Sequence, residues 1–503
     1  MADEVELKLA LPESAQRAFQ RLPLLKHAVS RKTERLINLY YDTPDLDLHK
    51  RGIALRLRRQ GHRWLQTVKC AGRSAAGLTT RPEWETPYGG DFDFSVVDAV
   101  AVRAWLERRK IRTRIAPLFE TNFLRTTWRF EPRPGVALLL AFDRGWIAAA
   151  GRHEAISELE IEIAAGSTDA LFDLAGRIAE HIPLAPALLS KAERGYRVFR
   201  NEQSAPVKAA AVPLTGRMAP LEAFRRIAFS CLEHLQQNHE GGAGSSDPEY
   251  IHQMRVAMRR LRAAMRLFRP LLPAAFNDAL LPPMREQMTV LGHTRDMDVL
   301  LAEIAAPVLG SLAGEPRLAA LVGLVTEQRH RQRHLATQAL RSPRFGRLML
   351  LATDLLHRPP FHPAPPDLEG SLAAFADGRI RRLRRNVLRL SADATVDDPA
   401  SLHALRIGIK RLRYALEFFA PLSRSKAVGR EVAKLARLQD TLGQINDLAN
   451  AGRLLMACAG EDSRLREAVT LIGGWHGPRY AGLLAAVPAG LRQLRAIRLP
   501  RLL

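Results

Sequence analysis

Sliding the chain against itself brings two stretches into register at an offset of 151 residues. His252, Arg255, Arg259, Arg260, Leu261 and Arg262 then fall on His403, Arg406, Lys410, Arg411, Leu412 and Arg413. The same offset carries Leu221 and Phe224 onto Leu372 and Phe375, and Leu291, Gly292 and Asp296 onto Leu442, Gly443 and Asp447. One constant offset over that span means duplication without net insertion, and two copies are too few to stack as a solenoid. Apolar residues in both copies recur at the helical period. The duplicated region is therefore expected to be an all-α, pseudo-twofold bundle of two repeats, about 221–356 and 372–503. The proline-rich segment His357–Pro366 separates them.

Each copy carries a cationic stripe. On a helix beginning near Pro248, residues His252, Arg255, Arg259, Arg262 and Arg266 share one face for ~21 Å at 1.5 Å per residue. Met254, Met258, Leu261, Met265 and Phe268 have the opposite phase and should face the core. In the second copy His403, Arg406, Lys410 and Arg413 make the stripe, and Leu405, Ile409, Leu412, Leu416 and Phe419 the core face. An arginine-rich face is often merely solvated, and a histidine at its head often makes only a structural hydrogen bond. Recurrence of one sign in both copies argues against plain solvation, because like charges at i,i+4 repel by roughly a few tenths of a kcal/mol and an anion offsets that. Asp296 and Asp447 are expected to cap or pair with these arginines. Arg379, Arg381, Arg382, Arg384, Arg385 and Arg389 form a further basic helix, with its arginines on several faces. Nucleic-acid readers add aromatic platforms or base-edge donors to a basic surface. Aromatics are 6% of this chain and none interrupts either stripe. Inorganic polyphosphate is therefore the expected partner and nucleic acid is disfavoured.

The formal net charge of +23 over 503 residues is uneven. Residues 1–203 hold 32 basic and 26 acidic side chains, and the rest hold 43 and 26. Asn201–Pro220 has Pro, Ala and Ser without apolar periodicity, so the chain is read as a domain over 1–203, a linker over 204–219 and a helical domain over 220–503. Cys70, Cys231 and Cys458 lie too far apart for a disulfide framework or a metal motif, which suits a reducing cytoplasm. The acidic start MADEVELK does not read as a signal peptide, and no run reaches the ~18 apolar residues of a membrane span. A cytoplasmic location, with association to polyphosphate granules, is the expectation; no membrane partner is expected and no protein partner is inferable.

Before the linker the period is two. Val5-Leu7-Leu9, Ile53-Leu55-Leu57, Trp64-Gln66-Val68, Trp128-Phe130 and Leu159-Ile161-Ile163 read as strands, with helices around Ser14–Arg21, Phe94–Arg109 and Thr168–His181. The class is α+β, rich in antiparallel sheet. Glu4, Glu6 and Lys8 share one strand face, as do Glu158, Glu160 and Glu162. Arg56 and Arg58, Lys69, and Glu83 and Glu85 alternate with apolar residues in the same way. Each pattern alone fits a wet outer face; together, both signs on one face and aliphatics on the other fit a closed barrel with a charged lumen. Carboxylates clustered in a lumen repel by roughly 3 kcal/mol per pair at ~5 Å and an effective dielectric of ~20. A divalent cation with oxygen ligands, Mg²⁺ or Mn²⁺, removes that penalty. Metal plus cationic clamp is the equipment of phosphoryl transfer. No P-loop, Ser/His/Asp set or Cys/His cluster is present, and His62 and His153 are isolated.

These motifs are familiar as an ordered set. EVELK resembles the ExExK signature of the CYTH family, the triphosphate tunnel metalloenzymes. LYYDTPDLDLHKRGIALRLR, QTVKCAGRSAAGLTTRPEWE, LRTTW, AFDRGWI, SELEIE and LSKAERGYRVF look like that family's inorganic-triphosphatase branch. HQMRVAMRRLR and HALRIGIKRLRYALEF resemble the CHAD family of polyphosphate-associated helical modules. The resemblance implies an eight-stranded antiparallel tunnel with flanking helices and a Mg²⁺- or Mn²⁺-dependent inorganic triphosphatase site. Glu4, Glu6, Glu158 and Glu160 would then be metal ligands, with Glu162 beside them. Arg56, Arg58, Lys69, Arg125, Lys191 and Arg194 would bind triphosphate, and Lys8 would bind phosphate or assist the attacking water. Asp143 also matches the pattern. The family includes adenylate cyclases and thiamine-triphosphate hydrolases, which charge alone does not separate, and a non-catalytic polyphosphate-binding protein is the alternative from another class.

Overall fold

The computed structural model describes residues 4–75, 77–358, 371–423 and 427–497, in two compact units. The first comprises the N-terminal residues through Ala205 together with Arg341–Arg358; the second comprises Pro206–Leu340 and the residues from the far side of that segment onward.

The first unit is built on β1 (Glu4–Ala10), β2 (Ser30–Asp42), β3 (Ile53–Gln60), β4 (Arg63–Cys70), β5 (Arg73–Ala75), β6 (Leu78–Arg81), β7 (Glu83–Pro87), β8 (Ala116–Arg133), β9 (Val136–Ala149), β10 (Arg152–Ala165) and β11 (Ala185–Pro186). All pair antiparallel in one sheet, in the order β5-β6-β1-β10-β9-β8-β2-β3-β4-β7, with β11 also on β1. The sheet has eleven strands among the described residues, eight of them of five residues or more. The curl follows from connectivity. β6 lies near one end of the sheet and β7 forms the other, yet only Pro82 separates them in sequence. The two ends must meet. Pro82 cannot donate to a ladder, and its carbonyl accepts from Cys70 N at 3.3 Å.

Period-two alternation then sorts the side chains. Leu7, Leu9, Leu159 and Ile161 point outward and are fully buried in an apolar cluster with Phe142. This cluster is covered by α1 (Thr168–Ala179), through Leu171, Leu174 and Ile178. Leu55, Val68 and Trp84 point outward on the other wall and pack under Phe94, Trp105 and Ile111. The anticipated helix over Phe94–Arg109 is shorter, covering Val100–Leu106, with a further turn at Arg109–Arg112. α2 (Lys191–Arg200) starts with a capping box between Ser190 and Glu193, which satisfies orphan N–H groups at its first turn.

The second unit contains α3 (Pro220–Gln237), α4 (Pro248–Leu267), α5 (Ala274–Val299), α6 (Pro316–Leu340), α8 (Leu372–Asp393), α9 (Pro399–Phe419), α10 (Ala427–Ala459) and α11 (Ser463–Arg495). The duplication is visible in the caps. Asp247 accepts from Glu249 N at 2.8 Å and Asp398 from Ala400 N at 2.9 Å, each followed by proline at the first helical position. The residues phased opposite the two stripes are all buried, from Met254 to Phe268 and from Leu405 to Phe419. α7 (Pro343–His357) lies inside the range of the first repeat, but it does not join this bundle. It packs on α1 and β11, with Leu350 in the cluster around Leu7 and Leu9. A Cβ at Gly346 would lie 1.7 Å from the Leu184 carbonyl oxygen, so only glycine permits that approach. The range 220–503 is accordingly not one contiguous compact unit.

Leu159 is fully buried between β1 and the outer cluster. Leu159→Ala is expected to lower stability by about 2–5 kcal/mol through the cavity it leaves, read as an earlier urea midpoint at unchanged slope.

Candidate functional site

Strand register assembles the charges. β9 sets Asp143 opposite Arg125 of β8 on one side and Glu158 of β10 on the other. Lys8 of β1 lies opposite Glu160, and Glu6 opposite Glu162. From α2, Lys191 reaches into this group: its Nζ is 2.6 Å from Asp143 Oδ2 and 3.0 Å from Glu160 Oε1, and it also pairs with Glu158. Arg125 Nε donates to Asp143 Oδ1 at 2.7 Å, and its Nη2 pairs with Glu160. Arg194 Nη1 is 3.1 Å from Glu158 Oε2, and its Nε donates to Glu154 Oε1 at 2.6 Å. Asp143 is fully buried, and Glu158 and Lys191 nearly so.

On the facing wall, β4 and β7 set Lys69 directly opposite Glu83, with which it pairs, and Arg56 Nη2 lies 3.4 Å from Glu83 Oε1. Arg58 Nε donates to Asn38 Oδ1 at 3.0 Å, and Arg58 makes no ion pair among the described residues. Lys8 Nζ lies 2.8 Å from Glu6 Oε1. The space between these walls is a cavity of about 420 Å³, whose lining includes Glu6, Lys8, Arg56, Arg58, Lys69, Arg125, Glu160, Glu162 and Lys191. Glu83 lines it too.

Asp143, Glu158 and Glu160 offer carboxylate oxygens within 4.8 Å of one another. These are hard oxygen donors of the kind Mg²⁺ or Mn²⁺ takes. Of the expected ligands, Glu158 and Glu160 belong to this trio. Glu6 is placed with Lys8, Glu162 lines the cavity beside it, and the side chain of Glu4 lies outside the described residues. Arg194 stands behind Glu158 rather than along the cavity. Asp143, given no role by sequence, is the member that ties Arg125, Lys191 and Glu158 together. Its signal was a lone acid within the apolar run ALLLAFDRGW.

The protonation states follow from these contacts. Burial alone would raise the Glu160 carboxyl, but Lys191, Arg125 and Lys8 hold it well below the usual carboxylate range. Burial alone would lower Lys191, but Asp143, Glu158 and Glu160 hold it well above the ordinary lysine value. Burial, then Arg56 and Arg125, push Arg58 down to about 10. One wall is a balanced cluster, and the other carries the cation least compensated. His49 and Tyr196, stacked at 4.1 Å, also line the cavity, with Tyr40 and Phe123. Tyr196 donates to Asp42 Oδ2 at 2.8 Å, which fastens α2 to β2.

In the second unit α4 and α9 bring the two stripes together. Arg259, Arg262, Arg266, Lys410 and Arg411 line a cleft of about 320 Å³ with Arg379 of α8. Arg259 Nε and Arg406 Nε are buried without hydrogen-bond partners among the described residues. Arg255 Nη1 donates to Leu291 O at 3.0 Å and lies 3.8 Å from Asp296 Oδ1; the missing side chain of Gly292 leaves room for its guanidinium. His252 is half-buried at the head of its stripe, and burial lowers its basicity. His403 is exposed, with Nδ1 3.1 Å from Asn446 Oδ1. Arg413 lies 3.3 Å from Glu417, and Arg260 pairs with the same acid across the repeats. Burial, then Arg259, Arg406, Arg255 and Arg413, push Lys410 down to about 7.

Comparison with known proteins agrees with this geometry. Residues 2–196 match the CYTH domain and residues 226–456 the CHAD domain. The chain is a CYTH domain followed by a CHAD domain. Its curated relatives include the inorganic triphosphatase of Haemophilus influenzae, 31% identical over 201 residues, or 39% of this chain; the match spans 55% of that protein's length. The CHAD domain from the plant Ricinus communis is 38% identical at a TM-score of 0.51, covering 60% of this chain and all of that one. A putative adenylyl cyclase from Hippeastrum is 21% identical at a TM-score of 0.30, covering 40% of this chain and 98% of its own. No described helix is long and apolar enough to cross a membrane.

Because its folded value lies below the unfolded one, Lys410 opposes folding fully below pH 7, and that penalty is relieved as pH rises towards the ordinary lysine value. Lys410→Met is therefore expected to raise the urea midpoint at pH 6 and to raise it less at pH 9.

Proposed function

We propose that the tunnel unit hydrolyses inorganic triphosphate to diphosphate and phosphate with Mg²⁺ or Mn²⁺, and that the helical unit binds polyphosphate. The convergence of Asp143, Glu158 and Glu160, the last of which lines the same cavity as Arg56, Arg58 and Lys69, carries the first half. The resemblance to an inorganic triphosphatase over the same residues supports it. Asp143, Glu158 and Glu160 would hold the cation, with Glu6 and Glu162 beside them. A divalent cation there supplies charge neutralisation at the phosphoryl oxygens. Arg56, Arg58 and Lys69 hold the outer phosphates by charge-assisted hydrogen bonds, and Arg125 and Lys191 keep the carboxylates ionised and oriented. Lys8, which pairs with Glu6 and lines the cavity, would hold a phosphate oxygen or assist the attacking water. The water oxygen bonds to a terminal phosphorus as the anhydride P–O bond breaks; the bridging oxygen leaves on diphosphate, the water oxygen stays on the released phosphate, and the water's proton passes to solvent or to a phosphate oxygen.

The unpartnered donors of Arg259 and Arg406, together with the strained charge of Lys410, carry the polyphosphate half. Phosphates entering the cleft would meet Arg259 and Lys410, which line it, and offset the mutual repulsion of the stripes. One observation favours a nucleotide in the tunnel: the stacked His49–Tyr196 pair lines the same cavity.

Phosphate release from triphosphate is expected to exceed release from ATP with either metal, and Glu160→Gln to lower kcat by roughly a hundredfold or more. Equal rates in that variant would remove the proposed site. Polyphosphate affinity should fall steeply with salt and be weakened by Arg259→Glu, whereas DNA at matched phosphate concentration should compete poorly.

A further inference from the structure

The two walls of the tunnel hold their cations differently. Arg125 and Lys191 share three carboxylates, whereas Arg56 and Lys69 converge on Glu83. Glu83 sits at the junction where Pro82 joins the ends of the sheet, with Lys69 as its direct cross-strand neighbour. Its backbone position is set by that closure, so the carboxylate is delivered to the cavity wall by the fold itself. The Arg56 and Lys69 side chains are 9% and 12% exposed, and Glu83 is more open at 22%. The Glu83 contact does not saturate Arg56, whose Nε is buried with no hydrogen-bond partner among the described residues. Two cations facing a cavity beside uncompensated Arg58 thus hold an acid more accessible than themselves.

We propose that Glu83 is a built-in carboxylate competitor, displaced from Arg56 and Lys69 by the phosphates of triphosphate, and that it sets the discrimination between triphosphate and its shorter products. This rests on the triphosphatase reading of the same cavity. A fixed carboxylate competes for the two cations at an effective concentration that does not change. A ligand reaching both walls, with several phosphates, displaces it. Diphosphate and phosphate have fewer charges to oppose it and are returned to solvent. Glu83 acts through Arg56 and Lys69 and is a specificity-determining residue, not a catalytic one.

The test is Glu83→Gln in the full chain, which keeps size and hydrogen-bonding capacity and removes the charge. Diphosphate inhibition of triphosphate hydrolysis is expected to tighten about tenfold, after allowance for solvent screening of a charge pair, with a smaller fall in KM for triphosphate. The gain should shrink as salt is raised. Unchanged inhibition, or a rise in both constants together, would overturn the proposal and leave Glu83 a structural prop. Calorimetric titration of diphosphate and triphosphate into both proteins in the presence of a chelator reads the same difference without turnover. Wild-type protein that hydrolyses no triphosphate sinks the enzymatic reading, while those titrations still decide whether Glu83 competes for the cations.

Discussion

The Lys191 ammonium among Asp143, Glu158 and Glu160 is the interaction on which the charge arrangement of the candidate site depends. Each of these ions leaves water at a cost of several kcal/mol, and only close opposite charges with satisfied geometry offset it. The partners come from the neighbouring strands β9 and β10 and from α2, so the cluster is complete only once α2 has docked on that pair. The capping box at Ser190 closes the first turn of that helix, and the Tyr196–Asp42 hydrogen bond fastens its middle to β2. The charged lumen adds little stability of its own. Apolar burial on the outside of the sheet, under α1 and the Phe94–Ile111 segment, supplies the driving force that keeps it assembled.

The two units solve the same electrostatic problem in opposite ways. In the tunnel, acids and bases sit side by side and most charges are paired. In the helical unit the stripes of α4 and α9 face a common cleft with few acids among them, so buried donors go unmet and Lys410 is forced towards neutrality. A balanced site can be reset by one multivalent ligand and a cation, which suits chemistry on a short substrate. An unbalanced one favours retention of a long polyanion.

Much of this was legible from residue order. Period-two alternation placed Glu6, Lys8, Arg56, Lys69, Glu158 and Glu160 on one sheet face, because successive side chains of a strand must point to opposite sides. Helical period separated the stripe of α4 from Met254, Met258 and Leu261 beneath it for the same kind of reason. Asp143 was recognised only as a position in a pattern, since β9 is apolar on both faces and one acid within it has no alternation to read. The partnership of Glu83 with Arg56 and Lys69 needed cross-strand register, which single-strand patterning does not contain. α7 was harder still: an apolar helix inside a duplicated region carries no mark of which core it joins, and its place was decided by the fit of Gly346 against Leu184.

Residue order by itself determined the class of each unit, the sign and face of its charges and the duplication, because these depend on local periodicity and composition. Tertiary structure decided which carboxylates converge, which cations lack partners and where α7 belongs. Those outcomes depend on strand register and on contacts between segments far apart in sequence, where a shift of one residue would turn every lumen charge outward.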